Sequence, residues 1–282
     1  MGQEITAKQV MALRGRTGIG MAKCKQALVE ADGDIELAIQ NLRKAGIASA
    51  VKKSDREANE GKVVAAEDKS AVLLLEVNAE TDFVVKNDQF QSFAAEIANE
   101  ALNSGVDSVE KLHEQSYSKD PSLTIEQYRA VTVQSLGENL VIRRLLRIGR
   151  EKNHSYGIYS HMGGKIVSLV IIEGAEDQGN TAKEVAMHVA AASPEYLNSD
   201  AVPASIKEQE EEIARTQLKG KPDHILPKIL EGKMRAYYEQ NCLVNQPFVK
   251  ENSLKIEEFV RQKGEGLKVV GFYRWSVGGQ SE

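Results

Sequence analysis

Cysteine and tryptophan are scarce in this chain of 282 residues, with two of the first and one of the second. Cys24 and Cys242 stand far apart and have no neighbouring Cys, which excludes a disulfide framework and a zinc knuckle and fits a reducing compartment. No apolar run reaches membrane-spanning length, and the opening residues lack the apolar stretch of a secretory signal, so the expected location is cytoplasmic. Gly2 with Thr6 meets only the short, common pattern for N-myristoylation. Positive charge is not in excess either. The 36 basic and 41 acidic residues leave a net charge of −5, so the whole chain is no electrostatic binder of nucleic acid. What is present, 41% apolar and 27% charged residues, describes a globular chain long enough for two domains.

The usual marks of an enzyme are missing as well. Thr17-Gly18-Ile19-Gly20-Met21-Ala22-Lys23 imitates a dinucleotide loop, but Lys23 stands where a Gly or Ala should let helix close on strand, and no strand precedes it. Each Gly-Lys pair (61–62, 164–165, 220–221, 232–233) lacks the upstream Gly and the following Ser or Thr of a phosphate loop. Among the histidines, 113, 154, 161, 188 and 224, there is no His-Glu-x-x-His, and His154 and His161 lie seven apart in a Gly-rich loop, a poor spacing for a metal. His188, in the Ala-rich stretch 185–192, reads as a packed structural histidine. No Gly-x-Ser-x-Gly elbow occurs. The expectation is a protein without covalent chemistry, metal or cofactor of its own.

Periodicity divides the chain. In residues 1–53, Ile5, Val10 and Leu13 mark one short helix. Met21, Cys24, Ala27, Leu28 and Ala31 mark a second, and Ile35, Ala38, Ile39 and Leu42 a third. Asp32-Gly33-Asp34 reads as a turn in which Gly33 ends one helix and Asp34 caps the next. Nine basic and five acidic residues give this module a charge of +4, leaving −9 for the rest. Residues 54–62 read as the end of a charged, Ala-rich linker. A core then follows in two subdomains, 63–149 and 150–282, which repeat one pattern. The apolar runs 71–77 and 166–172 are strands. Each is followed by an acidic turn and a helix, the first turning Phe90, Phe93, Ile97 and Ala101 inward, and each copy closes on a further apolar segment, 141–148 or 267–275. An insertion at about 200–245 reads as a helical hairpin that turns at Lys219-Gly220-Lys221-Pro222, with Ile206 and Ile213 on one arm and Ile225, Ile229, Met234 and Tyr237 on the other. Such a pattern predicts an α+β fold: a three-helix module, then a duplicated α+β core with an inserted antiparallel helical hairpin.

Asn78-Ala79-Glu80-Thr81-Asp82-Phe83-Val84-Val85-Lys86 leaves a buried strand and precedes an amphipathic helix, so it belongs at a surface turn. Phe83 either tucks beside Phe90 and Phe93 as core, or is offered with Asp82 to a partner, where an aromatic ring makes a good anchor. Several stretches together resemble the bacterial elongation factor Ts family. They are residues 13–28, Gly33-Asp34-Ile35-Glu36-Leu37-Ala38, Glu76-Val77-Asn78-Ala79-Glu80-Thr81-Asp82-Phe83-Val84, Gly137-Glu138-Asn139, His161-Met162-Gly163-Gly164-Lys165-Ile166, Ala186-Met187-His188-Val189-Ala190-Ala191 and Gln246-Pro247-Phe248-Val249, all in family order.

The resemblance implies a guanine nucleotide exchange factor that binds elongation factor Tu. In that family the segment matching Thr81, Asp82, Phe83 and Val84 presses into the partner's G domain near its magnesium, and GDP then leaves. Further contacts carried over are Arg14, Met21, Lys23 and Lys25 in a ubiquitin-associated-like module, with Leu136, Gly137 and His161. For His161 a loop hydrogen bond is an open alternative, and Lys23 and Lys25 could equally be solvated. The hairpin resembles the family's coiled-coil arm, which leaves open a homodimer through it. Three departures stand out: the sequence ends at Glu282 without the final helix that some members dock on the partner, Ala22 replaces a common Met, and Val85 replaces a common Ala.

Overall fold

Thr6 and Gln9 start the first helix by exchanging side-chain and backbone hydrogen bonds in a capping box, and α1 (Ala7–Thr17) ends on Gly18 in a left-handed conformation. The helices α2 (Met21–Glu30) and α3 (Ile35–Lys53) follow. Between them Gly33 takes φ 86°, and the Asp34 carboxylate accepts the N–H groups of Glu36 and Leu37, so the predicted turn and cap are both present. Val10, Leu13, Ile19, Cys24, Leu28, Ala38, Ile39 and Leu42 form the core of the bundle. Met21 departs from its assigned stripe and lies exposed.

The computed structural model describes residues 5–218 and 226–279. Two compact units emerge, Met1–Gly149 with Ser276–Glu282, and Arg150–Trp275. The three helices thus belong with the first half of the core. The stretch read as linker is mostly regular structure. α3 continues to Lys53 and a strand begins at Glu60, leaving only 54–59 between them. The reason lies in two small residues. Gly46 and Ala50 are buried on α3, and a methyl at Gly46 would stand 3.3 Å from the Ala130 carbonyl oxygen, so this half of α3 packs closely on a core helix.

In the first unit β1 (Glu60–Glu67) and β2 (Ala71–Ala79) form a hairpin. After it come the single turn α4 (Asp82–Val85), α5 (Asp88–Ser104), α6 (Val109–Glu114), the ribbon β3 (Ser116–Tyr117) and β4 (Asp120–Thr124), α7 (Ile125–Leu136) and β5 (Leu140–Gly149). The sheet runs β1-β2-β5, antiparallel throughout, with β2 buried on both faces. Phe90, Phe93, Ile97 and Ala101 of α5 are fully buried against Leu73, Leu75 and Val77. A register shift at Glu76/Val77 sets Glu76 opposite Arg144, where the two form an ion pair at 2.7 Å with both side chains buried. The Gly278 N–H donates to Glu76 at 2.8 Å, and Arg144 Nη2 donates to the Ser276 carbonyl at 2.9 Å, so residues 276–279 complete the pair's hydrogen bonds.

The second unit repeats this plan. β6 (His154–His161) and β7 (Ile166–Glu173) form a hairpin. They are followed by α8 (Gly179–Ala192), α9 (Ala204–Gln217), α10 (Leu226–Asn241), the ribbon β8 (Pro247–Phe248) and β9 (Glu251–Lys255), α11 (Ile256–Lys263) and β10 (Lys268–Ser276). The sheet order is β10-β7-β6. The repeat extends to single bonds. The N–H of Ile125 donates to the Gln115 carbonyl at 2.8 Å, and that of Ile256 to the Gln246 carbonyl at 3.0 Å. Residues 115–128 align with 246–259 without a gap, matching Gln, Lys, Ser, Leu, Ile and Glu and pairing Tyr117 with Phe248 and Tyr128 with Phe259. Each half therefore opens on a hairpin, where the sequence pattern suggested a lone strand. β6 was read as a Gly-rich loop; it is a strand whose Gly157 admits α8, since a methyl there would lie 2.1 Å from the Lys183 nitrogen. His154 and His161 occupy its opposite ends and cannot share an ion. The arm is a pair of helices, α9 burying Ala214 and α10 burying Met234, with Lys233 donating to Gln217 at 2.6 Å. Its turn at 219–222, together with His224 and Ile225, lies outside the described residues.

His188 is structural, as its setting predicts. It is buried on α8, its Nδ1 accepts the Val249 N–H at 3.3 Å, and its Nε2 therefore donates to Gln246 Oε1 at 2.8 Å. Burial holds its pKa below the ordinary 6.5. A depressed histidine stabilises the fold fully above the unfolded value and loses that contribution as pH falls through the folded one. Stability should therefore decline below about pH 6.5. Urea midpoints from pH 7.5 down to about 5 should show a shallower decline in His188→Gln than in the wild type. His113, lowered by burial in the same direction, stays in both proteins and cancels from the comparison.

Candidate functional site

β2 and β5 end their ladder at the pair Ala79 and Leu140. The chain then leaves the sheet through Glu80 and Thr81. Thr81 is extended (φ −130°, ψ 154°), and its hydroxyl accepts the Val84 N–H at 3.3 Å to cap α4. Val85 is buried and Val84 half-buried against the core, which seats one side of the turn. Phe83 faces away. It is 82% exposed, more than any other large apolar side chain among the described residues, while Phe90 and Phe93 are fully buried. The packing alternative for Phe83 is thereby decided against.

Beside the ring, Asp82 pairs with Lys86 at 2.7 Å, and that hydrogen bond and charge raise the Lys86 pKa. α7 approaches from the other side. Leu136 is half-buried, and Gly137 ends the helix at φ 85°, a left-handed position that a side chain would strain. Glu138 then accepts the Thr81 N–H at 3.0 Å and the Thr81 hydroxyl at 2.6 Å. Asn139 donates its N–H to Glu80 at 2.7 Å. Thr81, Asp82, Phe83 and Val84 thus lie in one neighbourhood with Leu136 and Gly137. Nothing in the local pattern around Glu138 signalled its link to Thr81, which stands 57 residues earlier in the chain.

The other candidates are placed apart. On the bundle, Arg14, Met21 and Lys25 are exposed. Lys23 is turned inward at its tip, donating to the Gln134 carbonyl at 3.1 Å and so bridging α2 to α7. His161 belongs to the second unit, exposed at the end of β6, with its Nδ1 3.3 Å from the Tyr159 hydroxyl. Met162 beside it is 71% exposed. Among the described residues no cluster of three His, Cys, Asp or Glu side chains could hold a metal ion, and no helix is long and apolar enough to cross a membrane.

These features fit what comparison with known proteins finds. The family model described as elongation factor Ts matches residues 80–279. The elongation factor Ts of Protochlamydia amoebophila (strain UWE25) is 49% identical over 278 residues, which take in 97% of this chain and 99% of that protein. Those of Chlamydia muridarum and Chlamydia pneumoniae are 40% and 39% identical over 279 residues, in each case 98% of this chain and 99% of the relative. With an exposed phenylalanine on a capped turn, a duplicated α+β core and relatives aligned almost end to end, the chain belongs to the elongation factor Ts family.

Proposed function

We propose that this chain is a guanine nucleotide exchange factor that binds the G domain of elongation factor Tu in the cytoplasm and drives GDP out through Phe83. The observation that carries this reading is the 82% exposure of Phe83 on a turn held from both sides. Burying such a ring in a partner gains about 1.5–3 kcal/mol, available to disturb packing around a bound ion. Magnesium neutralises the phosphate charge of GDP, so shifting its ligands weakens the nucleotide's hold. Coupling is reciprocal: whatever the factor takes from GDP binding, GDP takes from factor binding, and GTP resolves the nucleotide-free complex. Nothing in this scheme asks the chain for covalent chemistry.

The bundle supplies the grip, through Arg14, Met21 and Lys25, with His161 a further contact. The helical arm, on which Ile213 is exposed, is a second candidate surface. Met21→Ala should raise the factor concentration for half-maximal exchange by about fivefold while leaving the maximal rate unchanged. A lowered maximal rate with unchanged half-saturation would remove the gripping role. A point substitution is sharper here than deleting residues 1–53, because that deletion would also uncover the face of α7 on which α3 packs.

The reading is tested by mixing the chain with GDP-loaded elongation factor Tu and separating the complex by size. A co-eluting pair without nucleotide, dissolved by added GTP, is expected. A pair that retains its GDP would make the chain a tether.

A further inference from the structure

We infer that Glu138 is a positioning residue that aims Phe83, acting as half of a reciprocal clasp beyond the ends of β2 and β5; this rests on the exchange reading above. Past Ala79 and Leu140 the two strands no longer share a ladder. Their side chains take over the exchange of bonds. Glu138 accepts from the backbone and hydroxyl of Thr81 at 3.0 and 2.6 Å, and Glu80 accepts from the backbone of Asn139 at 2.7 Å. Each carboxylate thus holds the other segment's main chain. Asn139, buried, donates onward to the carbonyls of Ser54 at 3.4 Å and Arg56 at 2.9 Å, and Arg56 pairs with Glu80 at 3.4 Å. The clasp therefore reaches the residues that leave α3.

A four-residue helix needs such a hold. A single turn fixes several dihedrals for few hydrogen bonds and is unstable alone. Val84 and Val85 seat α4 from below. Its start depends on one hydroxyl, which accepts from Val84 N–H and donates to Glu138. Without the carboxylate that hydroxyl is free to rotate, and the cap loosens while the Phe83 ring is chemically unchanged. A loosened ring must be ordered before it can act on the partner, and that ordering cost appears in the step Phe83 drives. Thr81 and Glu138 are only half-buried, so water can replace the lost acceptor and the fold itself loses little.

The test measures GDP release from elongation factor Tu at saturating factor for Glu138→Ala and Glu138→Gln, each with Phe83 and with Phe83→Ala. Thermal unfolding and amide exchange are followed alongside. Glu138→Ala should slow maximal release about tenfold. Glu138→Gln, which keeps an acceptor oxygen, should recover much of it. In the Phe83→Ala background, Glu138→Ala should cost nothing further, and amide exchange should rise at Val84 and Val85 but not along α5. An equal loss from Glu138→Ala in both backgrounds, or release at the wild-type rate, overturns the inference. If wild type and Phe83→Ala release GDP alike, the exchange reading fails first and takes this role with it.

Discussion

Replacing Phe83 by alanine should leave stability within about 0.5 kcal/mol of the wild type, because an exposed side chain gives the fold little. The same change should slow GDP release from elongation factor Tu by about ten- to a hundredfold, the equivalent of the ring's lost burial in the partner. The contrast lies seven and ten residues further on, where Phe90 and Phe93 are fully buried. Phe90→Ala or Phe93→Ala should cost about 3–5 kcal/mol through transfer and cavity contributions. Urea unfolding and saturating stopped-flow release, run on the same preparations, separate the two classes. A Phe83→Ala protein as unstable as Phe90→Ala would return the ring to the core.

The largest loss of stability from a polar change should come at the buried ion pair. Arg144→Met leaves the Glu76 carboxylate, at 0% exposure, with only the Asn78 side chain and the Gly278 N–H as hydrogen-bond donors. Removing one member of such a pair costs about 3–5 kcal/mol, since the remaining charge stays buried and uncompensated. Glu76→Met combined with Arg144→Met should recover most of that, because two apolar side chains need neither partner nor solvent. Urea midpoints of the three proteins give the cycle. A single variant as stable as wild type would mean that water reaches Glu76, and a double variant worse than Arg144→Met would mean the pair stabilises more than it costs to desolvate.

The central strands were legible because β2 and β7 are nearly continuous apolar runs, and the helix caps because Asp34 and Gly33 have few other uses in that order. The edge strands were not. Strands β1 and β6 are half-buried, carry charge or hydroxyls, and each contains a glycine that lets another backbone approach, so their alternation is faint. α3 outran its apparent end because Gly46 and Ala50 bury a face by being small, which hydrophobic periodicity does not register. At the site, composition alone could not choose between an exposed and a buried Phe83, since it precedes two phenylalanines that do enter the core. Resemblance supplied the exposed reading, and the geometry of α4 shows how it is possible: Val84 and Val85 take the buried positions that Phe83 leaves. Lys23 shows the opposite limit, a residue whose charge suggested a contact but whose ammonium meets the Gln134 carbonyl within the same chain.

The most direct measurement is stopped-flow release of fluorescent GDP from elongation factor Tu, against excess unlabelled GDP, with no factor, with wild type and with Phe83→Ala at saturation. A strong acceleration by the wild type that Phe83→Ala largely loses, with binding to the nucleotide-free partner retained, is the predicted result. Equal acceleration by both proteins would contradict the role of the ring, and no acceleration by either would contradict exchange itself.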